Sequence, residues 1–485
     1  MKKLSFLMAA LLVAMTGCQK EPQVTEGNAE TKGYVALNIN LPNAVTKADP
    51  TTFDDGDAKE FAVKTVHLVL YDNTGAYCTA QNVPIDGWTN NPEDHITSTG
   101  KTGAIEVENG NITQALVLIN SPFAIGDYEG KTFDQLNVAL TKTAAALTDD
   151  ATGFFMSNAP YYDDGATVKS LYKIDVKKTE ADALLAANSN PPVKVERAVA
   201  KVTVDFGAGS FEKPGIGRAV LKNWELDMTN DKLFPVRKAQ DWRTVNTGMQ
   251  SSLGLIYWAE DPNYNIAFGA FDDSEFSRGP QTYLGTDESS EYCLENTFDT
   301  ERMIQTNTTR VMLQAEYTPE GTILGSDKTW FWVGNAKEVV TIEEVADKTG
   351  ESVANIKAAV SAGDCSSVTI GAKTLTEWYD GKNVTCFVDA LCYYPVRIRH
   401  FTDAEIGYSP DFATEFSGTA YKAKELGRYG VLRNTWYKLT ITSISEPGTP
   451  TPEDPENQLD DVVKQYVACN IDILAWGVRE HNVEL

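Results

Sequence analysis

The sequence has few of the residues on which most enzymes and metal sites depend. It contains only four histidines, His67, His95, His400 and His481, which lie far apart and form no HExxH motif. No two of its seven cysteines have CxxC spacing, and no GxGxxG motif follows a predicted strand. Zinc, thioredoxin-like and dinucleotide sites would leave such motifs. We therefore predict that the chain is not an enzyme and that it holds neither a metal nor a cofactor.

Two acidic pairs and one aromatic run leave other functions open. The aspartate pairs at residues 54–55 and 163–164 could bind calcium or serve a glycosidase, but solvated turns are the favoured explanation. The run WFW at residues 330–332 could stack on a sugar, whereas alternating burial in a β-core is the simpler explanation. A surface carbohydrate-binding lipoprotein is therefore one alternative function.

Basic residues are also scarce relative to acidic ones. Lysine and arginine number 42 against 68 aspartates and glutamates, which gives a formal net charge of −26. Such a surface repels nucleic acid and anionic lipid, so we predict no nucleic-acid partner. Beyond Cys18 the chain has six cysteines, which an exported protein could pair in ways that their spacing does not reveal.

The first 18 residues have the pattern of a bacterial lipoprotein signal. Lys2 and Lys3 precede an apolar run at residues 4–15, which is shorter than the roughly 20 residues of a membrane-spanning helix. The run ends in Met-Thr-Gly-Cys, where small residues stand just before Cys18. This arrangement predicts lipidation at Cys18, and the alternative is an ordinary secretory signal with an incidental cysteine.

An amphipathic strand follows near the N-terminus. Val35, Leu37, Ile39 and Leu41 alternate with less apolar residues, which is the period of a strand with one buried face. The segment after it, residues 44–57, reads as a loop whose basic residue is Lys47. Proteases cut such exposed loops.

A second amphipathic strand ends the chain. Residues 446–458, EPGTPTPEDPENQ, predict an extended and solvated tether before it. We expect a phase shift near Ala475, caused by a bulge or by a break between two short strands. The strand either packs on its own domain or is held for another subunit. Its apolar positions are Val467, Cys469, Ile471 and Ile473, then Leu474, Trp476 and Val478.

The rest of the chain alternates between short strands and turns. Helical spacing predicts one helix at residues 131–147, and a capping box of Thr341 and Glu344 opens another at 341–360. We therefore predict two mostly antiparallel β-sandwich-like domains that meet near residue 192 and contain one or two short helices. The predicted strands are residues 61–72, 104–108, 115–120, 193–206, 219–228, 310–317, 329–333, 383–388, 393–400 and 434–444.

Several stretches in this order resemble the FimA/Mfa-like fimbrillins of Bacteroidetes, and among them the Mfa-type major subunits, which are type V pilins. The stretches are the lipoprotein signal, GYVALNINLP, ALVLIN, FFMSNAP, VKVERAVAKVTVDF, LRNTWYKLTITSI and NIDILAWGVREHNVEL. The resemblance implies two transthyretin-like antiparallel β-sandwich domains. It divides the chain into a signal peptide (1–18), a propeptide with a placeholder strand (19–47), an N-terminal domain (48–192), a C-terminal domain (193–445) and a tether with a donor strand (446–485).

The resemblance also implies a function. A stalk subunit of surface fimbriae is exported as an outer-membrane lipoprotein, cut by a trypsin-like protease and polymerised by donor-strand exchange, and it serves adhesion, biofilm formation and colonisation. Its partners are copies of itself, accessory fimbrial subunits and the protease. Cys18 matches the lipidated residue, the alternating residues from Val35 to Leu41 match the strand removed on maturation, and those from Val467 to Val478 match the donor strand.

One departure concerns the cleavage position. The best-known family members are cut after arginine, but this chain has no arginine before Arg197, and Lys47 occupies the corresponding loop. The resemblance therefore requires either a protease that accepts lysine and cuts between Lys47 and Ala48, or another cleavage position. A fimbrial anchor or a tip adhesin is the alternative subunit type. An anchor would keep its first strand and lipid, and a tip would lack a donor strand. The Lys47 loop and the alternating tail favour a stalk subunit.

Overall fold

The computed structural model describes residues 32–42, 56–90, 96–108, 111–163, 167–242, 258–264, 276–277, 279, 282–401, 421, 425–456, 458–460 and 467–474. Strands make up 41% of the structure and helices 14%, which confirms the prediction of a mostly β protein. None of the helices in these ranges is both long and apolar enough to span a membrane.

The first part of the chain builds one large sheet and several small ones. Its strands are β1 (Gly33–Val35), β2 (Asn38–Pro42), β3 (Val66–Asp72), β4 (Tyr77–Asn82), β5 (Ile85–Asn90), β6 (Ile96–Thr102), β7 (Ile105–Val107), β8 (Ile112–Ile119), β9 (Leu140–Thr141), β10 (Met156–Asn158), β11 (Tyr161–Asp163), β12 (Thr167–Lys169), β13 (Tyr172–Lys173) and β14 (Val193–Arg197). Its helices are α1 (Phe133–Leu136), α2 (Ala144–Leu147) and α3 (Glu180–Ser189).

The large sheet runs in the order β4-β3-β8-β10-β14-β2-β6-β5, with β13 also paired to β8. Its apolar face and the strands β1 and β7 enclose the N-terminal core, in which Leu68, Leu116, Val117 and Met156 are completely buried. Most neighbours are antiparallel, but β14 and β2 pair in parallel. The alternating patterns of these strands therefore face a single common core.

The second part of the chain contains two four-stranded sheets, in the orders β21-β15-β30-β31 and β16-β17-β22-β29. They enclose the C-terminal core, which includes Val202, Leu313 and Leu439. The strands are β15 (Val199–Asp205), β16 (Ser210–Lys213), β17 (Gly217–Asp227), β18 (Thr229–Asn230), β19 (Lys232–Leu233), β20 (Phe276–Ser277), β21 (Ser290–Leu294), β22 (Arg310–Pro319), β23 (Trp330–Val333), β24 (Glu338–Thr341), β25 (Gly363–Asp364), β26 (Thr369–Ile370), β27 (Lys373–Thr374), β28 (Val384–Phe387), β29 (Leu391–Arg397), β30 (Trp436–Ile444) and β31 (Val467–Leu474).

A compact unit is inserted between β22 and β29 and was not expected from the sequence. Its sheet, β24-β23-β28-β25, packs with three helices around a separate core that includes Phe331, Ile342 and Ile356. The helices are α4 (Ile342–Thr349), α5 (Val353–Ala359) and α6 (Leu375–Trp378). The sequence analysis predicted strands in this range but assigned them to the C-terminal domain and not to a separate unit.

Both predicted helices are interrupted. The predicted capping box of Thr341 and Glu344 does open α4, but the helix stops at Gly350, whose left-handed φ of 76° ends it, and α5 starts afresh. The predicted helix at 131–147 is wrong, because Thr132 and Thr143 each cap a separate single turn. Between the two turns the chain pairs as β9 with β19, so strand pairing overrides the helical spacing.

The change from one core to the other occurs at β15. Val199 belongs to the N-terminal core and Ala200 to the C-terminal core, while Leu233, Val236 and Leu294 from the second part also pack into the first. The two cores therefore adjoin closely, and a domain boundary near residue 192 stays a prediction.

Candidate functional site

The first strand segment, β1 with β2, lies in the middle of the N-terminal part rather than at its edge. Val35, Ile39 and Leu41 are completely buried and Leu37 is 7% exposed, all within the N-terminal core. This burial agrees with the alternating pattern of the sequence. The segment therefore contributes four side chains to the N-terminal core.

Within the described part of the large sheet, β2 is the strand that joins its two neighbours, β6 and β14. On one side β2 pairs antiparallel with β6, where Asn38 faces Lys101 and Ile39 faces Gly100. On the other side it pairs in parallel with β14, where Val193 is opposite Ile39. Removal of the segment would leave a groove between β6 and β14, with backbone groups unpaired on both walls.

The outward face of the same segment is covered by α3 and the residues before it. Tyr34 and Lys177 exchange two backbone hydrogen bonds of 2.8 and 2.9 Å. Ala36 packs with Ala183 and Ala187 of α3. The sequence analysis did not identify α3, although Thr179, whose side chain accepts from the N–H of Asp182, is a recognisable N-cap.

Asn38 completes this outward contact. Its side-chain Nδ2 donates to the backbone carbonyl of Ala187 at 2.8 Å. Beside it, Lys101 of β6 donates from Nζ to Asn188 Oδ1 at 3.2 Å. The C-terminal end of α3 is therefore tied to both β2 and β6, and the segment is enclosed on its inner face, its outer face and both edges.

The chain that follows the Lys47 loop is anchored by a buried carboxylate. Glu60 is completely buried, and its Oε1 lies 2.8 Å from Lys201 Nζ and 2.5 Å from the hydroxyl of Tyr292. Its carbonyl accepts a 2.8 Å hydrogen bond from Arg197 Nε. The start of the body is thus fixed to β15 and β21, independently of β2. Sequence patterns did not indicate this anchor, since a buried lysine and glutamate have no periodic signature.

Among the described strands, the last one, β31, lies at the edge of its sheet and pairs antiparallel with β30 alone. Val467, Cys469 and Ile471 point into the C-terminal core and are 7%, 0% and 1% exposed. The sequence left two interpretations open, a strand packed on its own domain and a strand held for another subunit. In the described conformation β31 packs on its own domain. Ile473 and Leu474 continue the ladder opposite Tyr437 and Trp436.

The segment before β31 was predicted to be a solvated tether. Most of its residues from Thr451 to Glu456 are exposed, but the segment is hydrogen-bonded to the body and is not free of it. Thr449 exchanges backbone hydrogen bonds of 2.9 and 3.0 Å with Tyr393 of β29. Arg310 Nη2 donates to the carbonyl of Glu453 at 2.6 Å, and Asp460 forms an ion pair of 3.1 Å with Arg397. Proline leaves backbone carbonyls free to accept, so a proline-rich segment can remain extended and still be bound along the body.

Some predicted site residues lie outside the described residues. These are Cys18, Lys47, Ala48, Trp476 and Val478, together with the expected bulge near Ala475. Lipidation at Cys18 and cleavage between Lys47 and Ala48 therefore stay predictions.

The histidines and the tryptophan considered for catalysis or sugar binding make contacts inside the protein. His67 Nδ1 and His400 Nδ1 lie 2.8 Å from the hydroxyls of Tyr128 and Tyr437. Burial lowers the pKa of His67, which keeps its ring neutral. Trp330 is buried and stacked on Phe387. Within the described ranges no acidic, histidine or cysteine cluster could hold a metal, and Cys78, Cys293, Cys365, Cys386 and Cys392 form no disulfide there.

Comparison with known protein families gives one match, in the C-terminal part of the chain. Residues 385–482 match the family model described as major fimbrial subunit protein type IV, fimbrillin, C-terminal. This range contains β29, β30 and β31. The match confirms the resemblance to fimbrillins that the sequence motifs predicted. A search of curated proteins found no match.

Several solved structures align with most of this chain at low TM-scores. A fimbrilin (fimA) of Porphyromonas gingivalis W83 has 14% identity and a TM-score of 0.41, and covers 92% of this chain and 98% of its own. The tip fimbrial protein Mfa3 of P. gingivalis, with a C-terminal truncation, has 13% identity, a TM-score of 0.41 and coverages of 92% and 100%. A fimbrial assembly protein of Parabacteroides distasonis has 11% identity, a TM-score of 0.32 and coverages of 92% and 96%.

Proposed function

We propose that this chain, whose residues 385–482 match the fimbrillin C-terminal family, is a stalk subunit of a surface fimbria. It is exported as an outer-membrane lipoprotein attached through Cys18. A trypsin-like protease cuts after Lys47, and the subunits then polymerise by donor-strand exchange. Its partners are further copies of itself and accessory fimbrial subunits, and the fibre serves adhesion, biofilm formation and colonisation.

The observation that carries this proposal is the position of β1 and β2. In this segment β2 lies inside the large sheet and β1 pairs with β7, yet the segment joins the body through residues 43–55, which include Lys47. Burying a large apolar side chain is worth about 1.5–3 kcal/mol, so its four inward residues contribute roughly 6–12 kcal/mol. While the segment is present, the groove is closed and the precursor cannot accept a strand from a neighbour.

Cleavage after Lys47 makes the groove accessible to a competing strand, although it does not itself eject the segment. The cut makes the segment a separate chain, while Glu60 keeps the body anchored through Lys201 and Tyr292. A donor strand from another subunit then competes for the groove between β6 and β14. This is strand addition, in which backbone hydrogen bonds supply affinity and alternate side chains supply fit.

The C-terminal strand is the donor in this proposal. Among the described strands of its own sheet β31 has one neighbour, β30, whereas the groove offers a neighbour on each side. Moving from an edge to a central position gains a second ladder of hydrogen bonds, while Val467, Cys469 and Ile471 exchange one core for another. Donation from the end of one subunit to the start of the next is heterologous and does not close, so it produces a filament.

A cleavage experiment tests this function. The purified full-length chain should stay monomeric until trypsin is added, and should then form ladders on electrophoresis and filaments in electron micrographs. Lys47→Ala should prevent polymer formation. Lys32→Ala is the matched control, since a cut after Lys32 leaves the groove filled. Filaments from the Lys47→Ala protein with residues 33–42 still attached would refute the proposal.

A further inference from the structure

The C-terminal strand repeats the sequence of the first strand. Residues 34–41 read YVALNINL and residues 466–473 read YVACNIDI, so five of the eight positions are identical. The other three positions pair leucine with cysteine, asparagine with aspartate and leucine with isoleucine. A strand with one buried face requires only that alternate residues be apolar. The repeat goes further, because it includes the tyrosine, alanine and first asparagine of the opposite face.

That opposite face is the one that contacts α3 in the present structure. Tyr34 is hydrogen-bonded through its backbone to Lys177, Ala36 is 7% exposed against Ala183 and Ala187, and Asn38 donates to the carbonyl of Ala187. The corresponding residues of the C-terminal strand are Tyr466, Ala468 and Asn470.

We propose that residues 466–473 of a second copy of the chain bind in the register of residues 34–41, and that the surface at residues 177–187 selects this register. The inference rests on the proposed strand exchange and adds to it the recognition surface and the alignment. Tyr466 then takes the place of Tyr34, Ala468 fits between the α3 alanines, and the Asn470 amide donates to the carbonyl of Ala187.

The alanine contact is what excludes a shifted alignment. A shift of one residue would turn the apolar set outward. A shift of two residues would keep it inward, so the alternating pattern alone cannot prevent it. It would, however, place Tyr466 or Asn470 at the position of Ala36, against Ala183, which is 1% exposed, and Ala187, which is 7% exposed. That close contact has room for a methyl group and not for a larger side chain.

The present position of β31 is compatible with the same alignment. Val467, Cys469 and Ile471 face the C-terminal core now, and they correspond to Val35, Leu37 and Ile39. The strand can therefore exchange sheets without reversing its faces.

The correspondence begins at Tyr466 and does not extend to the residue before it. Gln465 stands where Gly33 approaches Val176, and a Cβ atom at Gly33 would lie 2.2 Å from Val176 Cγ1. The donor therefore diverges from the path of the first strand just before Tyr466, or Val176 has to move.

Disulfide mapping in filaments tests the alignment. Asn38 faces Lys101 of β6, and both lie on the outward face, so Asn470 should face Lys101 of the next subunit. The full-length chain with Lys101→Cys, Asn470→Cys and Cys78→Ser, which removes an exposed thiol, should yield disulfide-linked multimers from mildly oxidised filaments. The matched control replaces Asn470→Cys by Asp472→Cys, and it reports a shift of two residues.

The outcomes separate this inference from the proposed function. Multimers from the Asn470 pair and not from the Asp472 pair support the alignment. Filaments that cross-link only through the Asp472 pair, or through neither pair, overturn it and leave strand exchange intact. If the parent protein forms no filaments after cleavage, strand exchange itself is refuted, and the alignment with it.

A second pair of variants tests the role of α3 without added cysteines. Ala468 is half-buried in the present structure, so Ala468→Leu should fold normally. In the groove the larger side chain would meet Ala183 and Ala187, and polymer yield should fall about tenfold, as expected for modest overpacking. Asp472→Asn makes the donor more similar to the first strand and should polymerise at least as well as the parent. Equal polymerisation of Ala468→Leu would overturn the role assigned to α3.

Discussion

Replacing Ile39 by alanine should destabilise the precursor and leave the filament unaffected. Ile39 is completely buried between β6 and β14, so the substitution removes apolar contacts and creates a cavity at the centre of the sheet. Substitutions of this kind cost about 2–5 kcal/mol. The residue is absent from the mature subunit if cleavage follows Lys47, and the cost then disappears with the removed segment.

Urea unfolding of both forms measures this difference. The midpoint of the intact variant chain should fall relative to the parent, while filaments assembled from variant and parent should unfold at the same urea concentration. Ile323→Ala is the control, because Ile323 is 91% exposed and its truncation should change stability by no more than about 0.5 kcal/mol. Equal destabilisation of precursor and filament would show that the first strand remains in the polymer.

Three further perturbations give separate predictions. Deleting residues 465–485 should abolish filaments, which electron microscopy would show, and normal filaments would mean that β31 is only a core strand. Ile471→Asp should also block assembly, since it places an unpaired charge in the groove, and thermal denaturation should show a less stable monomer because Ile471 is 1% exposed in its own core. Glu60→Ala should lower the stability of the intact chain by up to about 3–5 kcal/mol, because the buried Lys201 would keep only Asp57, at 4.0 Å, and the ring of Trp436 as partners, and an unchanged urea midpoint would contradict the proposed anchor.

The terminal strands could be predicted because alternation is a local property. Val35 to Leu41 and Val467 to Ile471 each bury alternate residues, and the sequence shows this without reference to their partners. What the sequence could not show is the partner. The parallel pairing of β2 with β14, between residues about 150 positions apart, depends on the whole topology.

The helix predictions failed for a different reason. The spacing of Phe133 and Leu147 is compatible with one helix, but pairing of the intervening residues as β9 depends on a distant strand. Helix α3 escaped notice because it is alanine-rich and has no wide apolar stripe, although it covers the outer face of β1 and β2. Its N-cap, Thr179, was the only local signal.

The segment at residues 446–458 shows how much can be predicted from amino-acid composition alone. Four prolines and several acids predicted a solvated tether, but composition says nothing about which surface accepts the extended chain. Tyr393 and Arg310 provide that surface, and each comes from a strand far from the segment in sequence. Extended conformation could thus be predicted, whereas binding to the body could not.

N-terminal sequencing of subunits from filaments sheared off the cell surface tests the central claim most directly. The claim is that the first strand is a placeholder that assembly removes. The predicted first residue is Ala48, directly after Lys47, with residues 33–42 absent from the filament. Filament subunits that begin before Gly33 and retain the segment would contradict the account.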